Sequence, residues 1–210
     1  MDLIKALNWR YATKRFDADR VLPENKILRL KRTFNLTATS YGLQPLRLVV
    51  VQDKPLQEKL RNAAFNQQQV STASHVLVIA IEKEVGKEFI ENYFRSVHHI
   101  RKTPKEILSP YTESLIKRFE KASPRDIREW AVNQAYLSLG SLLTACAIEE
   151  IDSCPMEGFN PQQFDEILGL TELNLESILV LPVGYRAPDD KFATFKKVRR
   201  PLEEMVLRRP

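Results

Sequence analysis

SPRDIREWAVNQAYLSLGSLLTACAIEEI, residues 123–151, is the longest helical pattern in the chain. Ser123 is a favoured N-cap, and Pro124 stands at the first helical position, where its missing N–H costs nothing. Trp130, Gln134, Leu137, Ser141, Leu142, Ala145 and Ile148 then mark a broad apolar surface laced with small residues. The pattern predicts a helix that runs to about Ile151 and lies at the centre of a core.

Outward from this helix lie candidate strands. Val76 to Ile81 is apolar without alternation, as in a strand covered on both faces. Leu46 to Val51 is short and β-branched and is bounded by Asp53 and Pro55. Ser177 to Tyr185 predicts a third strand, with Pro182 limiting its pairing. Asp2 can cap a short first helix carrying Ile4 and Leu7, and Pro23 opens a helix whose Ile27, Leu30 and Phe34 share one face. Residues 55–64 and 161–168 read as helical. Residues 84–121 do too, with a break near Thr103-Pro104. The order predicts an α+β fold, with helices around a small mixed sheet. No repeat or linker divides the chain, so residues 1–210 are expected to form one domain.

Hydrophobic content of 43% and charged content of 28% are those of an ordinary globular chain. No run of about 18 apolar residues predicts a membrane span. The first residues lack the basic and apolar pattern of a signal peptide, so a cytoplasmic location is expected. Cys146 and Cys154 are expected to be reduced, with Cys146 a small core residue. The net charge of +5 is concentrated near the end of the chain, in Lys191, Lys196, Lys197, Arg199, Arg200, Arg208 and Arg209. Such a terminus suits a nucleic acid, a membrane phosphate, a small anionic ligand or plain solvation.

Most catalytic sets lack their minimum parts. His98 and His99 are adjacent in a helix and point apart, which makes a poor metal site, and His75 is the third and last histidine. HExxH, CxxC, GxSxG and the glycine-rich phosphate loops are absent. No metal is therefore expected, and an enzyme of this composition would leave the hard step to an organic cofactor. Against a nucleic-acid role, the basic tail lacks interleaved stacking aromatics.

Several polar groups sit oddly: Arg10, Lys14 and Arg15 after a short helix, and Thr37, Thr39 and Ser40 before Gln44-Pro45. Asn66 stands nine residues before His75, Pro155-Met156-Glu157-Gly158-Phe159 forms a turn, and Pro182-Val183-Gly184-Tyr185 ends a strand. Lys197, Arg199 and Pro201 close the series. In order and spacing these segments resemble the nitroreductase family, in its oxygen-insensitive branch. Arg10 to Phe16 is similar to that family's opening R-x-S-x-[KR]-x-[FY], Thr37 to Pro45 to its hydroxyl-rich loop, and Lys197 to Pro201 to its K-x-R-x-P close.

The resemblance implies an intertwined homodimer with FMN at the interface and a C-terminal arm, about residues 190–210, crossing to the partner. It implies transfer of hydride from NADH or NADPH to flavin and on to small electron-poor acceptors, with no catalytic base from the protein. It further implies that Arg10, Lys197 and Arg199 hold the FMN phosphate and that Lys14 faces the end of the ring where reduction places negative charge. Asn66 and Gln69 are expected at the pyrimidine edge, the backbone of Pro155, Glu157 and Gly158 near N5, and Tyr11 and Ala12 along the cofactor. Thr39 and Ser40 are expected to reach the FMN of the other subunit. The alternatives are another reaction on the same fold, with a pterin, an enal or a halogenated ring as acceptor, or a non-enzymatic protein that binds nucleic acid.

Two positions depart from the family pattern. Ala12 replaces a serine, removing a hydroxyl contact, and Gln69 replaces a lysine, removing a charge. The stretch 84–121 shows little resemblance, so the acceptor is the least determined expectation.

Overall fold

Val76 to Ile81 cannot expose either face to water without loss, and in the computed structural model, which describes residues 2–209, that demand is met. β1 (Leu46–Val51), β2 (His75–Glu82), β3 (Asp152–Ser153) and β4 (Leu175–Gly184) form one sheet in the order β1-β2-β4-β3. Val78 of β2 lies opposite Val49 on one side and Val180 on the other.

Alternation along β2 divides the interior. Leu77, Ile79 and Ile81 join Leu179 and Leu181 in a cluster with α2 (Glu24–Leu36) and α7 (Pro124–Ile148), through Ile27, Leu30, Ala135 and Leu142. Val76, Val78 and Val180 face the other way. They meet Leu60 of α3 (Lys54–Ala63), Val70 of α4 (Gln69–Thr72) and Phe164 of α8 (Pro161–Ile167). Helices therefore cover both faces, as the apolar run required.

The expected mixed sheet is antiparallel in every ladder, and parallel pairing is confined to one isolated bridge, Ala12 to Ser153. Burial on both faces fits either strand direction, so the apolar run does not encode it. The connections do. The end of β1 (Val51) lies opposite the start of β2 (Val76), and Glu82 at the end of β2 lies opposite Leu175 at the start of β4. Each connection thus returns the chain at the end of the sheet where it left, which gives antiparallel neighbours.

α7 begins as expected. Ser123 Oγ accepts from the Asp126 N–H at 3.2 Å, and the Asp126 carboxylate accepts from the Ser123 N–H at 3.3 Å. It ends at Ile148 rather than near Ile151. Glu150 takes a left-handed φ of 54°, and the Ile151 N–H donates back to the Cys146 carbonyl at 2.8 Å, which drops Ile151 into the core. The turn leaves Asp152 and Ser153 extended as β3, a strand too short for any periodicity to announce. β4 starts at Leu175, two residues before the expected Ser177, and Pro182 is tolerated within it, its carbonyl accepting the Cys154 N–H at 3.1 Å. The stretch 84–121 divides as expected, into α5 (Lys87–Arg101) and α6 (Lys105–Lys121).

The sheet-facing side of α7 is narrower than its pattern suggests. Ala131, Gln134, Ala135, Ser138, Leu139, Leu142 and Cys146 are buried, whereas Leu137 and Ile148, expected inside, are exposed. By length and composition alone, α7 is long and apolar enough to cross a membrane. Asn133, Gln134, Ser138, Ser141 and Thr144 interrupt its apolar run without adding charge, and 44% of the apolar window is buried inside the fold.

At the start of β2, His75 is buried beside Ser74. Ser74 Oγ accepts from the Leu22 N–H at 2.7 Å and lies 2.8 Å from His75 Nδ1, an arrangement that suits a neutral imidazole. Burial lowers the pKa of His75, with Glu24 opposing and Lys31 and Lys54 adding to the effect. The folded state therefore binds fewer protons than the unfolded chain, and the contribution is complete above the unfolded pKa of about 6.5 and lost as pH falls. Denaturant unfolding of wild type between neutral and mildly acidic pH should show declining stability, and His75→Gln should flatten that decline. Identical slopes would remove His75 as its source.

Candidate functional site

The β3 stub organises the opening segment of the chain. α1 (Leu3–Trp9) ends at Arg10, whose ψ of 146° is extended, and the chain then runs along β3. Ala12 bridges Ser153, and the Thr13 N–H donates to the Ser153 carbonyl at 3.2 Å. The Asp17 N–H donates to the Tyr185 carbonyl, and the Ala187 N–H donates to the Arg15 carbonyl, each at 2.9 Å. Residues 10–17 are thereby fixed between β3 and the segment that follows β4.

A cavity of about 460 Å³ opens beside this segment, lined by Arg10, Tyr11, Ala12, Lys14, Pro155, Lys197 and Arg199 among others. Arg10, Lys14, Lys197 and Arg199 form no ion pair among the described residues. Lys197 Nζ donates to the Arg10 carbonyl, and Arg10 Nε is buried without a partner among the described residues. Burial, and then the Arg199 charge, pull the Arg10 pKa down. Burial, Arg10 and Arg199 do the same to Lys197. Like charges gathered in half-buried space with an unused donor make a site for an anion. A larger cavity of about 600 Å³ lies elsewhere, but its Lys83, Glu84, Lys87, Glu88 and Glu120 mix both signs and give no such focus.

From this cavity a chain of polar contacts leads to the Glu157-Gly158 turn. Lys14 Nζ lies 3.8 Å from Cys154 Sγ. Burial raises the Cys154 thiol pKa, while Lys14, Arg10 and the Gln69 amide partly oppose the rise. Gln69 Nε2 donates to Gln67 Oε1 at 3.0 Å, and Gln67 Nε2 donates to the Gly158 carbonyl at 2.6 Å. On the other side of the turn, Tyr136 Oη donates to Glu157 Oε1 at 2.7 Å. Gln67 and Tyr136 thus brace the turn from two elements, a role that the sequence alone did not assign them. Asn66 is exposed at the start of the same loop, with a left-handed φ of 56°. Nothing within the chain demands glycine at 158: φ is not left-handed, and an added Cβ would meet only the flexible Gln67 amide, at 3.4 Å.

Thr39 and Ser40 lie apart from this constellation. Thr39 lines a separate cleft with Phe34, Asn35, Gln44, Leu46 and Arg47. Thr39 Oγ1 accepts from the Gln44 N–H at 3.1 Å, and the Ser40 N–H donates to Gln134 Oε1 at 2.8 Å. The fold thus gathers Arg10, Tyr11, Ala12, Lys14, Gln69, Pro155, Gly158, Lys197 and Arg199, and leaves Thr39 in a separate cleft and Ser40 on Gln134.

Residues 7–185 match the model of the Nitroreductase family, and the chain belongs to that family; it is an oxidoreductase. It is 33% identical to an NAD(P)H nitroreductase homologue of Staphylococcus haemolyticus, over 97% of this chain and 95% of that one. It is 27% identical to the oxygen-insensitive NAD(P)H nitroreductase of Enterobacter cloacae, over 98% and 99% of the two chains. A nitroreductase-like protein of Exiguobacterium sibiricum, solved in complex with FMN, has the same fold, with a TM-score of 0.85 at 18% identity over 100% of this chain and 98% of the other.

The anion site predicts a simple linkage. Inorganic phosphate at about ten times its own Kd should raise stability by about 1.4 kcal/mol, read as a higher thermal midpoint than in chloride at equal ionic strength. Arg199→Ala should remove most of the gain. An equal gain in that variant would place the phosphate elsewhere.

Proposed function

We propose that this chain is an FMN-dependent NAD(P)H oxidoreductase of the nitroreductase type, acting as a cytoplasmic homodimer on small electron-poor acceptors. The observation that carries the cofactor is the uncompensated cation cluster with its unused Arg10 Nε. A phosphate monoester brings roughly two negative charges, which three cations can match. Arg10, Lys197 and Arg199 would hold that phosphate, with Arg10 and Arg199 suited to bidentate contact. Tyr11, Ala12 and Pro155 line the same cavity.

Bound FMN supplies a two-electron relay between a reduced nicotinamide and an acceptor such as a nitroaromatic or a quinone. The chain supplies position and charge. Lys14 is a fixed cation for the end of the ring that gains negative charge on reduction. Asn66 and Gln69 offer amides to the pyrimidine edge, and the Glu157-Gly158 backbone, braced by Gln67 and Tyr136, offers close approach without a side chain in the way. Thr39 and Ser40, remote from this cavity within one chain, would reach the partner's cofactor.

The dimer is supported by apolar surface that the chain leaves uncovered. Tyr136, Leu137 and Ile148 of α7, Leu3, Ile4 and Leu7 of α1, and Phe195, Val198, Leu202 and Leu207 near the end are all exposed. A partner covers such a surface if the expected arm of about residues 190–210 crosses to it in the part beyond Arg199, since residues 190–199 pack on this chain's own opening segment.

The test is a visible spectrum of the purified chain, followed by anaerobic NADH and then NADPH. Flavin bands that bleach on addition are expected, and the faster nucleotide names the donor. A colourless chain that takes up no added FMN would overturn the proposal. Arg10→Ala and Lys197→Ala should each weaken FMN binding about tenfold or more, the loss of a charge-assisted hydrogen bond. Gly158→Ala should leave stability within about 0.5 kcal/mol of wild type yet slow flavin reduction by the nicotinamide. Unchanged reduction rates would remove the turn from the reacting centre.

A further inference from the structure

The cation cluster is assembled from two ends of the chain, Arg10 and Lys14 from one and Lys197 and Arg199 from the other. Something must set the distance between them. We propose that Asp190 is the positioning residue that holds these two halves in register; the inference rests on the FMN assignment above.

Asp190 is buried at the junction, and its carboxylate is saturated with donors. Oδ2 accepts from the Lys14 N–H at 2.9 Å, the Arg15 N–H at 3.2 Å and the Tyr11 hydroxyl at 3.0 Å. Oδ1 accepts from the Phe192 N–H at 3.1 Å and so caps the short 3-10 turn, Lys191–Thr194, that leads into Lys197 and Arg199. One side chain therefore grips the backbone on which Lys14 stands, a residue that lines the cavity, and the turn that launches the other two cations. Burial alone would raise the Asp190 pKa, but these hydrogen bonds outweigh it and hold the pKa below the usual carboxylate value. Burial and the bond to Asp190 keep Tyr11 protonated well above the ordinary phenol range, so it remains a donor.

Asp190 binds backbone amides and not the cations, so it fixes their places without neutralising them. Its neighbour behaves differently. Asp189 Oδ2 meets Arg15 Nη1 at 2.8 Å, with both side chains more than half exposed, a surface pair of small energetic weight. The two adjacent aspartates thus form a matched test and control.

The cluster is the phosphate end of the site, so its register is read by the preference for FMN over riboflavin, which lacks the phosphate. Dissociation constants of both flavins for the apoprotein, by fluorescence titration, give that preference directly. Asp190→Asn keeps the size but turns one accepting oxygen into a donor facing N–H groups. It should reduce the preference by about tenfold or more, as expected for losing charge-assisted hydrogen bonds. Asp189→Asn should leave it as in wild type. Tyr11→Phe removes one of the four donors and should reduce it by a smaller factor, and it decides the matter by itself if Asp190→Asn does not fold. A role in stability alone would lower the thermal midpoint and leave the FMN-to-riboflavin ratio unmoved. A wild-type ratio in both folded variants would overturn this inference and leave the FMN assignment standing. A wild-type chain that takes up neither flavin would overturn both.

Discussion

A strand that is apolar on both faces has to be covered twice, and most of this structure follows from meeting that need for β2. One cover is made by α2 and α7, and the other by α3, α4 and α8. The same sheet has a far edge, beyond β4, where β3 pairs over two residues and Met156 adds an isolated bridge to Val180. That edge is where the opening segment of the chain finds backbone partners, and the candidate site is built there. The core thus decides the site's location by leaving one edge of the sheet incomplete.

The site reverses the logic of the core. Inside, the sheet is packed with apolar side chains, whereas beside the β3 edge Arg10, Lys14, Lys197 and Arg199 are gathered without an ion-pair partner among the described residues. Bringing like charges together opposes folding, and that opposition is relieved when an anion arrives. Asp152 and Arg186 stand close by as a contrast. Their carboxylate–guanidinium contact of 2.6 Å balances the two charges, with Arg186 Nη2 left without a partner among the described residues, and the Arg186 guanidinium lies over the Trp9 and Tyr11 rings. The same neighbourhood therefore holds one pair that closes the structure and one cluster that leaves it receptive.

Much of this was legible in the sequence, for physical reasons. The patterns of α5, α6 and α7 run over several turns, and the apolar stretch of β2 admits few other uses. Arg10, Lys14, Pro155, Gly158, Lys197 and Arg199 were found through their order along the chain, and the fold draws them together. Other features left no readable mark. Strand direction depends on where each connection returns, not on the strand's own composition. β3 is too short to show a period. Leu137 and Ile148 read as core because apolarity alone does not say which side of a helix the fold covers. Gln67 sits in a run of identical residues, and only tertiary contact separates its role from that of Gln68. Asp189 and Asp190 are the same residue type side by side, one exposed and one buried. The difference lies in which of them meets a backbone more than 170 residues away.

The distance along the chain between the two halves of the cavity also has a consequence in time. A ribosome makes residues 10–14 well before residues 190–199, and chains tend to settle from the N-terminus as they emerge. The sheet and its helical covers can form before residues 190–199 are available, but the cation cluster cannot. A growing chain therefore has an incomplete cation cluster until residue 199 has emerged from the exit tunnel. A chain truncated shortly before residue 197 keeps the sequence of every strand and lacks two of the four cations.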